Sequence, residues 1–329
     1  MDDKTQLVDM AALGKAQKGV NASTYECMYP GCKENSIGSH SQQRRGQLLA
    51  IASKSGDVYA VEKNLYRYYK GIKAASLYSP YRKTPISEAS VFPGFCSDHD
   101  KDLFLPIEKK QHIIGDPEQA ALFFLRAISF EYTQKNRMSI FNSTYLHHTK
   151  ESQESRRVML LKKSLNGLEH YLKNEGAYAL EKALDATTTD PEEKIRTSWI
   201  EIEKKLPIST ACTFSPLMQF QTRYMEENPS ENPPFVSFNI VPNEKTTHVV
   251  VSWLPEHDEY SQWLDDALND KMELELLINQ FPFGESEDTC ISPSLWEQVS
   301  SDNQQLICAA IGYSRLYEQA ATLPHVVKL

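Results

Sequence analysis

Two short stretches constrain this chain more than any others: CMYPGCKENSIGSH, from Cys27 to His40, and FPGFCSDHD, from Phe92 to Asp100. Each sets thiol and imidazole groups beside a Pro–Gly turn. Four residues separate Cys27 from Cys32, with Pro30–Gly31 among them. Such a turn carries both sulfurs to one side, which is the shape of a metal knuckle. Cys96 and His99 follow Pro93–Gly94, and their spacing at a helix start puts Sγ and the imidazole on one face. Together, Cys27, Cys32, Cys96 and His99 offer three sulfurs and one nitrogen. That is a complete tetrahedral shell for Zn²⁺, closed to substrate and therefore structural. On the same grounds His40 can stand as fourth ligand in place of His99. The competing reading is three free thiols and an incidental histidine, but Cys212, Cys290 and Cys308 show no such pairing.

The surroundings predict a reducing compartment. MDDKTQLVDM is acidic and lacks the basic start and apolar core of a signal peptide. The apolar run Ala120–Ile128 is too short to span a bilayer and contains Arg126. A cytoplasmic chain without membrane contact is expected, where scattered cysteines are thiols or metal ligands. Net charge is −9, which excludes a protein coated in positive charge, yet the charge is uneven. Between His40 and Lys83, Arg44, Arg45, Lys54, Lys63, Arg67, Lys70, Lys73, Arg82 and Lys83 face only Asp57 and Glu62. The segment carries +7 and the remainder −16. Tyr59, Tyr66, Tyr68, Tyr69, Tyr78 and Tyr81 lie among the cations, a mixture suited to phosphates and unstacked bases. It equally suits a solvated face packed against the acidic remainder.

The breakers and apolar periods divide the chain into four parts. Residues 1–22 predict a short helical arm or a frayed tail. Residues 23–114 are turn-rich, with a helix-like spacing over Leu48–Ala52 and a strand at DVYAV. Residues 115–205 predict a helical layer. Asp116 caps the first helix with Pro117 at its first position, and Ala121, Phe124, Leu125 and Ile128 form a core-facing stripe. A second helical region runs from about Glu151 to Leu184, striped by Leu160, Leu161, Leu165, Leu168 and Leu172. TTTDPEEK then predicts a third helix, through about Lys205. Residues 206–329 are mixed: a polar, Pro-rich ENPSENPPF link, a hairpin from FVSFNIVP and THVVVSWLP, a helix over DEYSQWLDDALNDKMELELLINQF, and another capped by Ser292. The expected fold is α+β: a zinc treble-clef module with insertions, a helical layer and a mixed α/β C-terminal domain. No phosphate-binding glycine loop or hydrolase nucleophile motif occurs, which excludes an intrinsic kinase or motor.

The order of these features resembles the HNH nucleases of the treble-clef class. A knuckle comes first, then a small residue with His, then C-x-x-H opening a helix. The resemblance covers residues 24 to 108. It implies that Ile37-Gly38-Ser39-His40 is the first hairpin strand and His40 the general base. FCSDHDKDLF corresponds to the helix pattern, with Cys96 and His99 on zinc. The family's metal-binding histidine falls at Asp100, which would hold Mg²⁺ or Mn²⁺ through oxygen. Asn64 is the nearby asparagine, without a sure counterpart in the family pattern. Arg44 and Arg45, with Lys54 and Arg67, are the candidate phosphate contacts.

The resemblance therefore implies a metal-dependent endonuclease acting on DNA or RNA, of a kind that serves in bacterial defence. The alternative is a catalytically inactive zinc module. It would bind nucleic acid through the basic lobe or a protein through the acidic C-terminal region. His40 would then be a buried, hydrogen-bonded histidine. The remaining candidates predict less: His147–His148 faces solvent, His248 and His257 have no visible partners, and Arg126 is expected to pair internally with Glu131.

Overall fold

The computed structural model describes residues 9–67, 79–214, 235–314 and 323–329. Tyr68, Tyr69, Lys70, Lys73, Tyr78 and nearly all of the ENPSENPPF link lie outside them. The described part is a mixed helix-and-sheet, α+β architecture. None of its helices is long and apolar enough to cross a membrane.

The centre is one antiparallel sheet of seven strands, in the order β3-β2-β9-β6-β7-β8-β5. Its strands are β2 (Asp57–Val61), β3 (Tyr81–Pro85), β5 (Arg196–Ile202), β6 (Ile208–Phe214), β7 (Val236–Pro242), β8 (Thr247–Trp253) and β9 (Thr289–Ile291). The hairpin β7–β8 is as expected, with Pro242 opposite Thr247 and Asn243 N–H bonded to Thr246 O at 2.8 Å. Its flanks do not alternate between core and water, however: every residue of β6, β7 and β8 is buried. Both faces are covered. Phe238, Ile240, Val249 and Val251 join one core, while Val241 and Val250 join another.

The second of these cores is organised by α3 (Pro117–His148). Asp116 caps it through Gln119 N–H as the sequence predicts, but the helix runs for 32 residues. Residues 119–130 are buried all round rather than along a stripe, because sheet, α2 and the following helices enclose them. Helix α2 (Ser97–Glu108) precedes α3, and α4 (Arg156–Lys173) and α5 (Glu175–Ala186) follow, separated at Asn174. On α4 the predicted stripe is only partly covered: Leu168 is buried, but Leu160 is exposed. Helix α1 (Met10–Ala22) lies against α3. The opposite core takes α6 (Trp263–Asn269), α7 (Lys271–Gln280) and α8 (Ser301–Ser314). The single helix expected over 258–281 is thus broken into pieces.

One sequence expectation is reversed. The helix predicted after TTTDPEEK lasts a single turn, Pro191–Lys194, and Arg196–Ile202 is strand β5. Thr197, Trp199 and Ile200 are β-branched or aromatic, and a seven-residue antiparallel register against β8 outweighs the local helix start. The helix-like spacing at Leu48–Ala52 likewise gives only a π-type turn, Arg44–Leu48, and one α-turn, Leu49–Ile51. The last arrangement of note is a separate two-stranded sheet, β1 (Gly38–His40) with β4 (Val91–Pro93). It carries His40 at the end of β1.

Candidate metal centre and the polar cluster beside it

The turn at Pro30–Gly31 is built as the sequence predicts. Gly31 has φ of 77°, a region costly for any residue with a Cβ. Cys27 N–H bonds Glu34 O at 2.9 Å, Cys32 N–H bonds Tyr29 O at 3.1 Å, and an isolated bridge joins Glu26 to Asn35. Met28 N–H to Gly94 O and Ile37 N–H to Phe95 O then fasten this knuckle to the residues leading into α2. Cys96 is the N-cap of α2, with His99 in its first turn.

Cys27, Cys32, Cys96 and His99 converge. Their ligand atoms all lie within 4.8 Å of one another, so the four are close enough to bind one metal ion. Nδ1 is the His99 atom turned inward, 3.2 Å from Cys96 Sγ and 3.5 Å from Cys27 Sγ. Tyr29 stacks on the imidazole at 4.0 Å, holding its plane. Burial pushes the Cys27 thiol up to about 11, whereas backbone amides of His99 and Asp98 lower that of Cys96. A cation would remove the first cost, since it binds the thiolate. His40 is outside this shell.

His40 ends β1 opposite Val91. Its Nδ1 lies 3.1 Å from Ala89 O, an atom that can only accept, so Nδ1 carries the hydrogen and Nε2 the lone pair. Burial pulls its pKa down to about 4, the Ala89 carbonyl opposes this, and the charges of Arg126, Lys63 and Arg44 add to the depression. The ring is neutral at physiological pH. Asp100 meets β1 one residue earlier, at Ser39. Burial pushes its carboxyl up, with Ser39 and Arg126 opposing, and its Oδ1 is buried without a hydrogen-bond partner.

Arg126 was not among the predicted site residues. It is 1% exposed, pairs with Glu108 rather than Glu131, and stacks over Phe104 with Cζ 4.2 Å from the ring centre. Its Nε and Nη1 are buried without hydrogen-bond partners. Glu131 instead pairs with Lys135 at 3.0 Å. The signal in the sequence was the lone cation within AALFFLRAI: a charge in a helix buried all round must have a polar neighbour. A second buried pair lies nearby. Lys63 Nζ is 3.8 Å from Asp288 Oδ1 and 3.2 Å from Val91 O, and Asp288 accepts from Ser41 just past β1.

The predicted nucleic-acid contacts divide. Arg44, Arg45 and Lys54 are exposed. Arg67 is engaged by Glu62, which also holds Arg82, and Asn64 serves locally by accepting from Arg67 N–H. His147 and His148 are exposed as expected. His248 does have a partner: Trp199 Nε1 donates to its Nδ1 at 3.1 Å. Comparisons with protein-family models, curated proteins and solved structures find no match.

Proposed function

We propose that the chain is a zinc-stabilised, HNH-like, metal-dependent nuclease acting on DNA or RNA. The carrying observation is the placement of a neutral His40 at the end of β1, with Nδ1 satisfied and Nε2 left to take a proton, beside a four-ligand cluster. Three thiolates and an imidazole suit Zn²⁺ better than a hard cation. The knuckle and the start of α2 supply those ligands, with β1 and β4 between them in the chain, an order that fits a treble clef with insertions. In this reading His40 is the general base toward water, and the exposed Arg44 and Arg45 meet phosphates. Asp100 is the candidate oxygen ligand for Mg²⁺ or Mn²⁺, a cation that would supply charge for the phosphate oxygens. A role in defence against foreign nucleic acid, in a bacterial cytoplasm, follows from the family resemblance.

One observation favours a second reading. Asp100 is engaged by Ser39 and pushed toward its neutral form, which weakens it as a metal ligand. The protein would then be a zinc-stabilised binding module for nucleic acid, or for a protein through its acidic C-terminal region. The test incubates zinc-loaded protein with plasmid and single-stranded substrates plus Mg²⁺ or Mn²⁺, alongside His40→Ala. Cleavage lost in the variant, with folding retained, is the expected result. Binding without cleavage in both proteins overturns the nuclease reading in favour of the module.

A further inference from the structure

A cavity of about 440 Å³ opens between the end of α1, the flanks of the knuckle, the two-stranded β1–β4 sheet and α3. That volume is in the range of small-ligand sites. Among the described residues, Arg137, from α3, is its only lining cation, and no carboxylate lines it. Desolvation lowers the pKa of Arg137, and among the described residues no hydrogen bond or ion pair engages its guanidinium. Tyr25 and Ser36, from the two sides of the knuckle, line the same wall; Ser36 Oγ is buried without a hydrogen-bond partner, and Tyr25 Oη meets the Ser23 side chain. Ser23, which also lines the cavity, donates to Gly19 O at 2.9 Å.

We infer that this cavity is a phosphate-binding pocket, with Arg137 as its cation and Tyr25 and Ser36 as neutral donors. Arg137, Tyr25 and Ser36 line it from three separate segments. A desolvated guanidinium without a counter-ion is unfavourable by itself, and an oxyanion removes that cost. Donors arriving from three directions suit the tetrahedral oxygens of phosphate better than a planar carboxylate, which one guanidinium fork satisfies. Lys63 lies close enough to feel the Arg137 charge, so the positive field continues toward His40.

The phosphate is either a nucleic-acid phosphodiester or a free phosphate. Gly38 lines the pocket and His40 lies two residues along the same strand, about 7 Å at the usual strand rise. A backbone phosphate held here would give substrate a second grip beside the cleavage point. That placement rests on the nuclease reading; the pocket itself does not.

The test uses the full chain and Arg137→Gln. Thermal melting is followed with inorganic phosphate at constant ionic strength, and a labelled 20-mer, single-stranded or duplex, is titrated by anisotropy at several salt concentrations. Phosphate should raise the melting temperature of the parent and leave the variant unmoved. For a phosphodiester, the variant should bind the 20-mer about tenfold more weakly, with a salt slope reduced by about one. Loss of the phosphate response with unchanged 20-mer affinity keeps the pocket and assigns it to free phosphate. An equal response of both proteins to phosphate, or none from either, overturns the pocket. So does a marked fall in the variant's ligand-free melting temperature, because a structural arginine stabilises and an unpaired one does not. His40→Ala keeps the phosphate response, so loss of the nuclease reading and loss of the pocket are separately visible.

Discussion

Lys63→Met cuts a buried ion pair between the ends of β2 and β9, whose two members also bond Val91 O on β4 and Ser41 just past β1. Asp288 is 3% exposed, and burial raises its pKa to about 6 even with Lys63 opposing. A rise from 3.8 to about 6 means that holding this carboxylate ionised in the fold costs about 3 kcal/mol. Without the ammonium only hydrogen bonds to Ser41 and Gln42 remain, and removing one partner of a buried pair costs about 3–5 kcal/mol. Lys63 retains 19% side-chain exposure, which places the loss near 3 kcal/mol at pH 8. The sign with pH follows from the raised pKa. The fold binds this proton more tightly than the unfolded chain, so stability falls as pH rises through the window from 3.8 upward. At pH 5 the variant takes up the proton and loses only the Lys63–Val91 hydrogen bond and its packing, about 1 kcal/mol. Urea unfolding followed by tryptophan fluorescence at pH 5 and pH 8 measures both. Lys63→Met combined with Asp288→Asn should recover about 2 kcal/mol at pH 8. Equal losses at the two pH values, or a double variant no more stable than the single, would refute this account of the pair.

His40 acts with the opposite sign. Its pKa falls from 6.5 to about 4 on folding, so stability is lost as pH drops through that window, by about 2 kcal/mol once the partly open ring is discounted for solvent. His40→Gln should abolish that loss and leave the Asp288 trend visible in urea midpoints between pH 4 and 6.5. Gly31→Ala places a Cβ at φ of 77° and should cost about 1–2 kcal/mol, with weaker metal retention in a competition against a zinc chelator. Arg126→Met should cost within about 1 kcal/mol in urea, because its partner Glu108 is 32% exposed and rehydrates. A loss above 3 kcal/mol would mean that the buried guanidinium is satisfied by groups other than Glu108.

The parts of this molecule that were legible in the sequence are those with short-range chemistry. Asp116–Pro117, Ser292–Pro293 and the Pro30–Gly31 knuckle all act within four residues, and each appears where expected. The metal cluster was legible for the same reason: two local pairs each announce a ligand face, although 63 residues lie between them. Beyond the β7–β8 hairpin, sheet partners were not. The pairing of DVYAV with Thr289–Ile291 depends on contacts more than 200 residues apart, for which no local pattern exists. Strand β5 was hidden because PEEK begins a helix that the β8 register then overrides. Arg126 was noticed as a charge in an apolar run, but its partner came from α2, not from its own helix.

Metal content and coordination test the central claim most directly. Protein purified without chelator is assayed for metals by mass spectrometry and then examined by X-ray absorption at the zinc edge. One zinc per chain is expected, with about three sulfurs near 2.3 Å and one nitrogen near 2.0 Å, and with a sulfur lost from that shell in Cys96→Ser. A folded chain without bound metal, or a shell made of oxygens, would contradict the account.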